Sequence, residues 1–453
     1  MTALNEQLTP DELHLASKLR PIRFALKIAE GLLSRGVSTR DTVSQALDIT
    51  ERYCKERVYF DVSSNVITAS QYRGLHKDPL TLMITVRYDA TNNMIVQELQ
   101  QLVRDIVQKG TSLDEAIRRL DHIEKNGKRY PNWLRMLGNA GMATGIVMLY
   151  TDSWVNITLT FISACFIDTL IRFVEKRRIP AFFAQALAAI AIIIVSALFA
   201  NISWASWWPF EPASATLIAV GSIMMLVAGL SLAATAQDAI DEFYVTAGAR
   251  LMKTAMLTTG IIIGIIGGLT FINEISNIVI NTKQSPSLSP YNIQLIGAAI
   301  TGAAWALYTQ SSRAAIAWAG IISLGGYALY TFISPTGEAI ASGVASFAIG
   351  FSAALVARLW RTPSIAIINA AIVILVPGFM LYRGLMHFVG PNSEAGFMTG
   401  LMTVISAASI ALAIAAGAAL GTYIGRPVRS HIIRLYQYTP HLFAKKRASK
   451  TKV

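Results

Sequence analysis

Long apolar runs separated by short clusters of charge fill the chain from Trp133 to Gly425, whereas the residues before them alternate over shorter, mixed periods. A helix needs about twenty apolar residues to cross roughly 30 Å of hydrocarbon. Runs of that kind fall at 134–150, 153–173, 180–201, 213–234, 251–272, 291–309, 314–333, 337–357, 364–386 and 397–424. The pattern predicts an α-helical polytopic membrane protein with about ten transmembrane helices.

Ahead of the spans, apolar spacing near 3.6 in Ile22–Leu33 and Val43–Tyr53 predicts two helices. Gly36 suits the end of the first and Thr39 the cap of the second, giving a tight helix-turn-helix. Val58, Phe60 and Val62, then Val66 and Thr68, alternate as a hairpin within Arg57–Ser70, and Leu80–Tyr88 reads as a third strand. Helical spacing returns in Asn93–Lys109 and in Ser112–Asn126, which opens with the capping-box pattern Ser112 to Glu115. Residues 1–130 are therefore expected to form a cytoplasmic α+β domain, with Pro131 marking the entry to the bilayer. Residues 131–275 and 276–425 form two five-helix membrane halves, and 426–453 a basic cytoplasmic tail.

Composition sharpens this picture. A hydrophobic fraction of 53% with 15% charged residues is too oily for a soluble chain of this length. The formal charge of +12 does not point to nucleic acid, because the basic residues flank apolar spans or lie in the tail. Arg172, Lys176, Arg177, Arg178, Arg250, Lys253, Arg313, Arg358, Arg361 and the tail fall on one side, and only Lys283 and Arg383 on the other. Basic loops stay in the cytoplasm, so both termini are expected there, and Trp204, Trp207 and Trp208 form an aromatic belt on the far side. Met1–Arg20 has no apolar core of the secretory kind, and Cys54 and Cys165 imply no disulfide framework.

Leu226-Val227-Ala228-Gly229 in the fourth span is echoed by Leu375-Val376-Pro377-Gly378 in the ninth. Ten spans divide into five and five, and an odd number per half inverts the second relative to the first. This is the inverted-repeat construction of many secondary transporters.

Candidate chemistry gathers at the same places. Pro377 leaves the carbonyl of Val373 without its helical donor, and Gly378 lets the backbone bend. Broken helix at membrane depth must face protein or a water-filled cavity, so this is a candidate substrate contact, with Arg383 able to pair a carboxylate. The alternative is a proline kink with an arginine reaching the outer headgroups. After the fourth span, Asp238, Asp241 and Glu242 are expected to share a helical face, where crowding raises a carboxyl toward proton-carrying use. Asp238 is the preferred coupling acid; the alternative is a solvated connection whose acids face Arg250 and Lys253. Asp168 is another acid inside a span, but Arg172 at i+4 favours a local ion pair. Asn139, Asn156, Thr158, Thr160 and Asn369 stitch helices together more often than they bind cargo. Gly260, Gly264, Gly267, Gly268, Gly417 and Gly421 permit close packing and leave room for a homo-oligomer.

Six histidines show no HExxH spacing, the cysteines form no CxxC, and no GxxxxGK[ST] loop occurs. His76 with Asp78 and His122 with Asp121 read as surface pairs. No metal, cofactor or enzymatic activity is expected.

The chain resembles the threonine/serine exporter family. The matching residues are Leu32–Gly36 with Thr39–Thr42, Leu226–Asp238 with Ala247–Arg250, and Pro377–Gly378 with Tyr382–Gly384. The resemblance implies proton-motive-force-dependent efflux of L-threonine and L-serine through ten transmembrane helices behind a cytoplasmic N-terminal region. Here both halves are fused, whereas some relatives divide them between two proteins. Asp168 is not part of the shared pattern. The expected roles are Arg383, or amides near Pro377 and Gly378, for the substrate carboxylate; Gln237 or Tyr382 for a polar substrate group; and Asp238, then Asp241 and Asp168, for protons. The expected partners are a small amino acid, protons and the lipid of the inner membrane. Two alternatives remain open: a small dicarboxylate as cargo, and an N-terminal hydrolase or sensor tethered by the spans.

Overall fold

The computed structural model describes residues 10–73, 78–87, 91–127, 129–203, 211–226, 229–275, 287–360, 362–376, 378, 380, 384 and 394–438. Its first helices are α1 (Pro10–Leu33) and α2 (Thr39–Tyr53). Gly36 makes the turn between them possible, since its φ of 86° lies in the left-handed region that side chains avoid. The cap of α2 is Ser38, whose hydroxyl accepts from the Asp41 amide at 3.2 Å. Thr39 is thereby released from the capping role expected of it.

Strands β1 (Val58–Ser63), β2 (Val66–Gln71) and β3 (Leu80–Thr85) form an antiparallel sheet in that order, with Val62 opposite Ile67 and Ile67 opposite Ile84. Period-2 alternation turns Val58, Val62, Ile67 and Ala69 onto Ile22, Leu26, Ala29 and Leu33 of α1. The other side of α1, with Phe24, Ile28 and Leu32, packs on α3 (Asn93–Lys109) and α4 (Leu113–Asn126) through Leu99, Ile106 and Leu120. Asn92 caps α3 by accepting from two amides, Gly110 ends it at φ 66°, and Ser112 caps α4 by accepting from the Glu115 amide. One helix, apolar on two faces, is thus the core of this N-terminal unit.

The remaining elements are helical: α5 (Asn132–Val147), α6 (Trp154–Lys176), α7 (Ala181–Ser203), α8 (Ala215–Met224), α9 (Gly229–Ile240) and α10 (Tyr244–Ile275), then α11 (Tyr291–Tyr308), α12 (Arg313–Ile333), α13 (Glu338–Leu359), α14 (Ser364–Ile372) and α15 (Glu394–Tyr438). Among the described residues six helices, α6, α7, α10, α12, α13 and α15, are long and apolar enough to cross a membrane. Phe166, Phe173, Phe183, Leu198, Ile263, Phe271 and Leu412 stand exposed on their outer faces, as lipid contact requires. The chain is a multi-pass helical membrane protein.

Two of the expected spans are interrupted. The fourth is split between α8 and the start of α9, with a turn at Met225–Leu226. In the ninth, α14 gives way to a 3-10 turn at Val373–Leu375 and then to extended backbone at Val376. Both interruptions fall at the Leu226–Gly229 and Leu375–Gly378 echo; Pro377 itself lies outside the described residues.

Neighbour relations recur as well. α5 packs on α6, α6 on α7 and α7 on α10, while α8 touches α5, α6 and α7. In the same way α11 packs on α12, α12 on α13 and α13 on α15, while α14 touches α11, α12 and α13. The first helices of the two series, α5 and α11, pack on each other.

Glycines set the closest of these approaches. A Cβ on Gly417 of α15 would collide with the Gly343 carbonyl of α13 and sit 2.5 Å from Ser346 Oγ. By contrast, nothing lies within 4 Å of the position a Cβ would take at Gly248. We expect Gly417→Val to lose about 1–3 kcal/mol through overpacking, and Gly248→Ala to be neutral or stabilising by up to about 1 kcal/mol. Thermal unfolding in detergent micelles checks the contrast, which fails if both variants melt alike.

Candidate functional site

A cavity of about 340 Å³ lies where the N-terminal unit meets both helical series. The first series contributes α9 and α10, the second α11, α14 and α15, and the N-terminal unit the α1–α2 turn. Small-molecule sites span about 300–1,000 Å³, so this volume suits cargo the size of a single amino acid.

Asp238 is its most constrained polar group. It lies beyond residue 234, the expected end of the fourth span, and is 1% exposed. Thr39 Oγ1 donates to Asp238 Oδ1 at 3.2 Å, and Arg250 Nη1 of α10 approaches Oδ2 at 2.9 Å. The two oxygens thus have different partners, a hydroxyl from the N-terminal unit and a guanidinium from α10. Burial pushes the Asp238 carboxyl above its ordinary range; Arg250 and the Thr39 hydroxyl oppose this, and Asp241 reinforces it.

The three acids after the fourth span do not share a helical face. α9 ends at Ile240, the Phe243 amide donates back to the Asp238 carbonyl at 2.8 Å, and Glu242 takes a positive φ of 70°. The turn leaves Asp238 facing the cavity and sends Asp241 to Arg40 Nη1 at 3.0 Å. Desolvation, more than mutual repulsion, is what lifts Asp238.

Around this acid the walls are mixed. Arg35, Arg250 and Lys253 bring positive charge, Gln237 and Asn369 bring amides, and Ile365, Ile368, Ile372 and Trp305 bring apolar surface. Arg35 is held by donation from Nη1 to the Gly31 carbonyl at 2.8 Å. Charged, amide and apolar groups around one small volume suit a small amphiphilic zwitterion.

Of the residues singled out from the sequence, Gln237 and Asp238 line this cavity. Asp241 lies at the adjoining junction with Arg40. Asp168 sits elsewhere, buried between α5 and α6, ion-paired with Arg172 and accepting from Asn139 Nδ2 at 2.8 Å. Gly378 is buried but is not a lining residue; Pro377, Tyr382 and Arg383 lie outside the described residues. The sequence reading assigned no role in binding to Arg35, Lys253 or Asn369. The shared Leu32–Gly36 stretch was the available signal for the first, and a lone amide inside an apolar run for the last.

Both interrupted helices, through α9 and α14, line this one cavity, a placement that transporter folds give to their substrate sites. A family model described as "Putative threonine/serine exporter" matches residues 23–272, and one described as "Threonine/Serine exporter, ThrE" matches residues 294–422. The chain belongs to the threonine/serine exporter family. It is 28% identical over 431 residues to a "Probable threonine/serine exporter" of Mycobacterium tuberculosis, covering 92% of this chain and 78% of that protein. It is 29% identical over 413 residues to a "Threonine/serine exporter" of Corynebacterium glutamicum, covering 90% and 83%. No solved structure matches.

Proposed function

We propose that the protein exports L-threonine and L-serine across the inner membrane in exchange for protons, using the cavity around Asp238 as its substrate site. The observation that carries this reading is the buried Asp238 carboxyl, which lines a cavity of amino-acid size beside Arg250. A substrate ammonium group pairs with this carboxyl only when it is ionised, and a proton removes that charge, so the two compete for one acid. Mutual exclusion at one acid is sufficient for antiport: a proton arriving displaces the amino acid, and the next amino acid displaces the proton.

The remaining contacts follow from charge. Arg250, with Lys253 and Arg35 beside it, receives the substrate carboxylate, because one guanidinium can pair with Asp238 and still offer donors to a second carboxylate. Gln237 and Asn369 meet the hydroxyl that distinguishes threonine and serine from valine and alanine. A site built to hydrogen-bond a hydroxyl rejects analogues that lack it.

In this reading the two helical series are a five-plus-five inverted repeat of ten spans, supported by the recurring neighbour relations and the paired interruptions. Both termini, and the N-terminal unit, are cytoplasmic. One charge crossing 100 mV carries roughly 2.3 kcal/mol, which sustains a gradient of about fiftyfold.

Purified protein in liposomes loaded with labelled threonine is the test. Efflux is expected to rise several-fold when an inward proton gradient is imposed, and equal rates with and without it sink the coupling. A dicarboxylate cargo is the second reading, favoured by three basic groups against one acid around the cavity. It takes precedence if succinate, and not serine, competes with efflux.

A further inference from the structure

The N-terminal unit is fastened to the two helical series by different chemistry. On the second series it is bonded through backbone: the Asn93 amide donates to the Thr309 carbonyl at 3.0 Å, and the Met94 amide to the Gln310 carbonyl at 3.1 Å. Side-chain amides reinforce this, from Asn92 Nδ2 to Gln310 Oε1 and from Asn93 Nδ2 to Ser311 Oγ. Tyr130 adds its own amide to Gln310 Oε1 and its hydroxyl to the Ser311 carbonyl. Asn92, Asn93, Gln310 and Ser311 are all buried, so breaking this attachment strands several polar groups away from water.

On the first series the bonds run through side chains. Thr39 meets Asp238, Arg40 meets Asp241, and Thr246 Oγ1 joins the Ser64 amide to the Val62 carbonyl. Arg40 is 65% exposed, and an ion pair with one partner in water holds little. The two attachments flank the cavity, whose wall includes Gly36 and Ser38 of the α1–α2 turn and Ser64 of the hairpin.

We infer that the N-terminal unit is the inner gate of the transport site: it stays anchored on the α11–α12 turn and parts from α9 at Thr39 and Arg40 and from α10 at the Thr246 contact with the hairpin, opening the cavity wall. The inference rests on the transport reading for its purpose, but its geometry is independent of the cargo. Parting withdraws the Thr39 hydroxyl from Asp238, so opening the wall and freeing the acid for a new partner are one event. Thr39 is then a positioning residue for Asp238.

The test uses full-length protein with Cys54→Ser and Cys165→Ala as background, carrying Ala234→Cys as a reporter inside the cavity. Labelling by a water-soluble maleimide is followed in inside-out vesicles. Arg40→Glu is expected to speed labelling at least threefold by setting two carboxylates against each other. Arg40→Glu combined with Asp241→Arg restores the original rate, which a general loss of packing does not. Tyr130→Phe, on the anchored side, leaves the rate within twofold. In a separate chain, Arg40→Cys with Asp241→Cys is bridged by a short reducible bis-thiosulfonate. Threonine efflux is expected to fall at least tenfold on bridging and to recover on reduction.

Labelling that ignores Arg40→Glu, or a bridged protein that exports at full rate, overturns the gate. So does Tyr130→Phe matching Arg40→Glu, because the distinction between anchor and parting face then disappears. If the unmodified protein moves no threonine while labelling still follows the charge swap, the transport reading falls and the gate stands.

Discussion

Asp238→Asn is expected to reduce threonine efflux to below a tenth of the wild-type rate and to leave the remainder flat across pH. The amide keeps the shape of the side chain but neither takes a proton nor attracts an ammonium group as a carboxylate does. The sign of the wild-type pH dependence follows from the site. Burial lifts the acid above its ordinary range, so it keeps its proton at pH values where an exposed aspartate has lost it, and releases it as pH rises through the elevated value. In the proposed exchange the acid must shed its proton before it pairs with the next ammonium group, so wild-type efflux is expected to rise as pH on the loading side rises through that window, whereas the variant has nothing to titrate. Efflux from liposomes at a series of internal and external pH values reads both effects. A variant with the wild-type profile removes Asp238 from the coupling.

Arg250→Gln is expected to raise the KM for threonine about ten- to 150-fold, the equivalent of losing one hydrogen bond to a charged group at about 1.5–3 kcal/mol. It also removes the positive charge 2.9 Å from Asp238 Oδ2. That charge favours the carboxylate, so without it burial dominates further and the midpoint of the pH profile moves to higher pH. A purely structural role for Arg250 lowers the amount of folded protein and moves neither KM nor midpoint. Measuring KM at several pH values, normalised to folded protein, separates the two accounts.

Helix positions were legible because apolar runs and caps are local. The periodicity that predicted Asn93–Lys109 ends where α3 ends, at a glycine with positive φ. The interruption of the fourth span was written in the same four-residue echo that marked the ninth, but Val227 and Ala228 carry no proline to announce it. Thr39 was misassigned for a local reason: Ser38 and Thr39 both bear capping hydroxyls, and only the fold decides which one caps. The other hydroxyl then serves a carboxyl 199 residues away, which no local pattern encodes. Docking of the N-terminal unit was illegible throughout, because amides such as Asn92 and Asn93 read as an ordinary helix start. Asp168 illustrates the reverse, since its pairing with Arg172 is a one-turn relation that spacing alone reveals.

The seam between α5 and α11 has a mechanical meaning. A Cβ at Gly138 would stand 2.6 Å from the Tyr308 amide nitrogen, and one at Gly297 would stand 2.6 Å from the Gly145 carbonyl oxygen. The two backbones approach closely at both points along the contact between the leading helices of the two series. Interlocked side chains resist shear because each must climb over its neighbour, whereas bare helical ridges roll across one another while keeping most of their contact. In the proposed transport cycle this seam is the fulcrum about which one helical series tilts against the other.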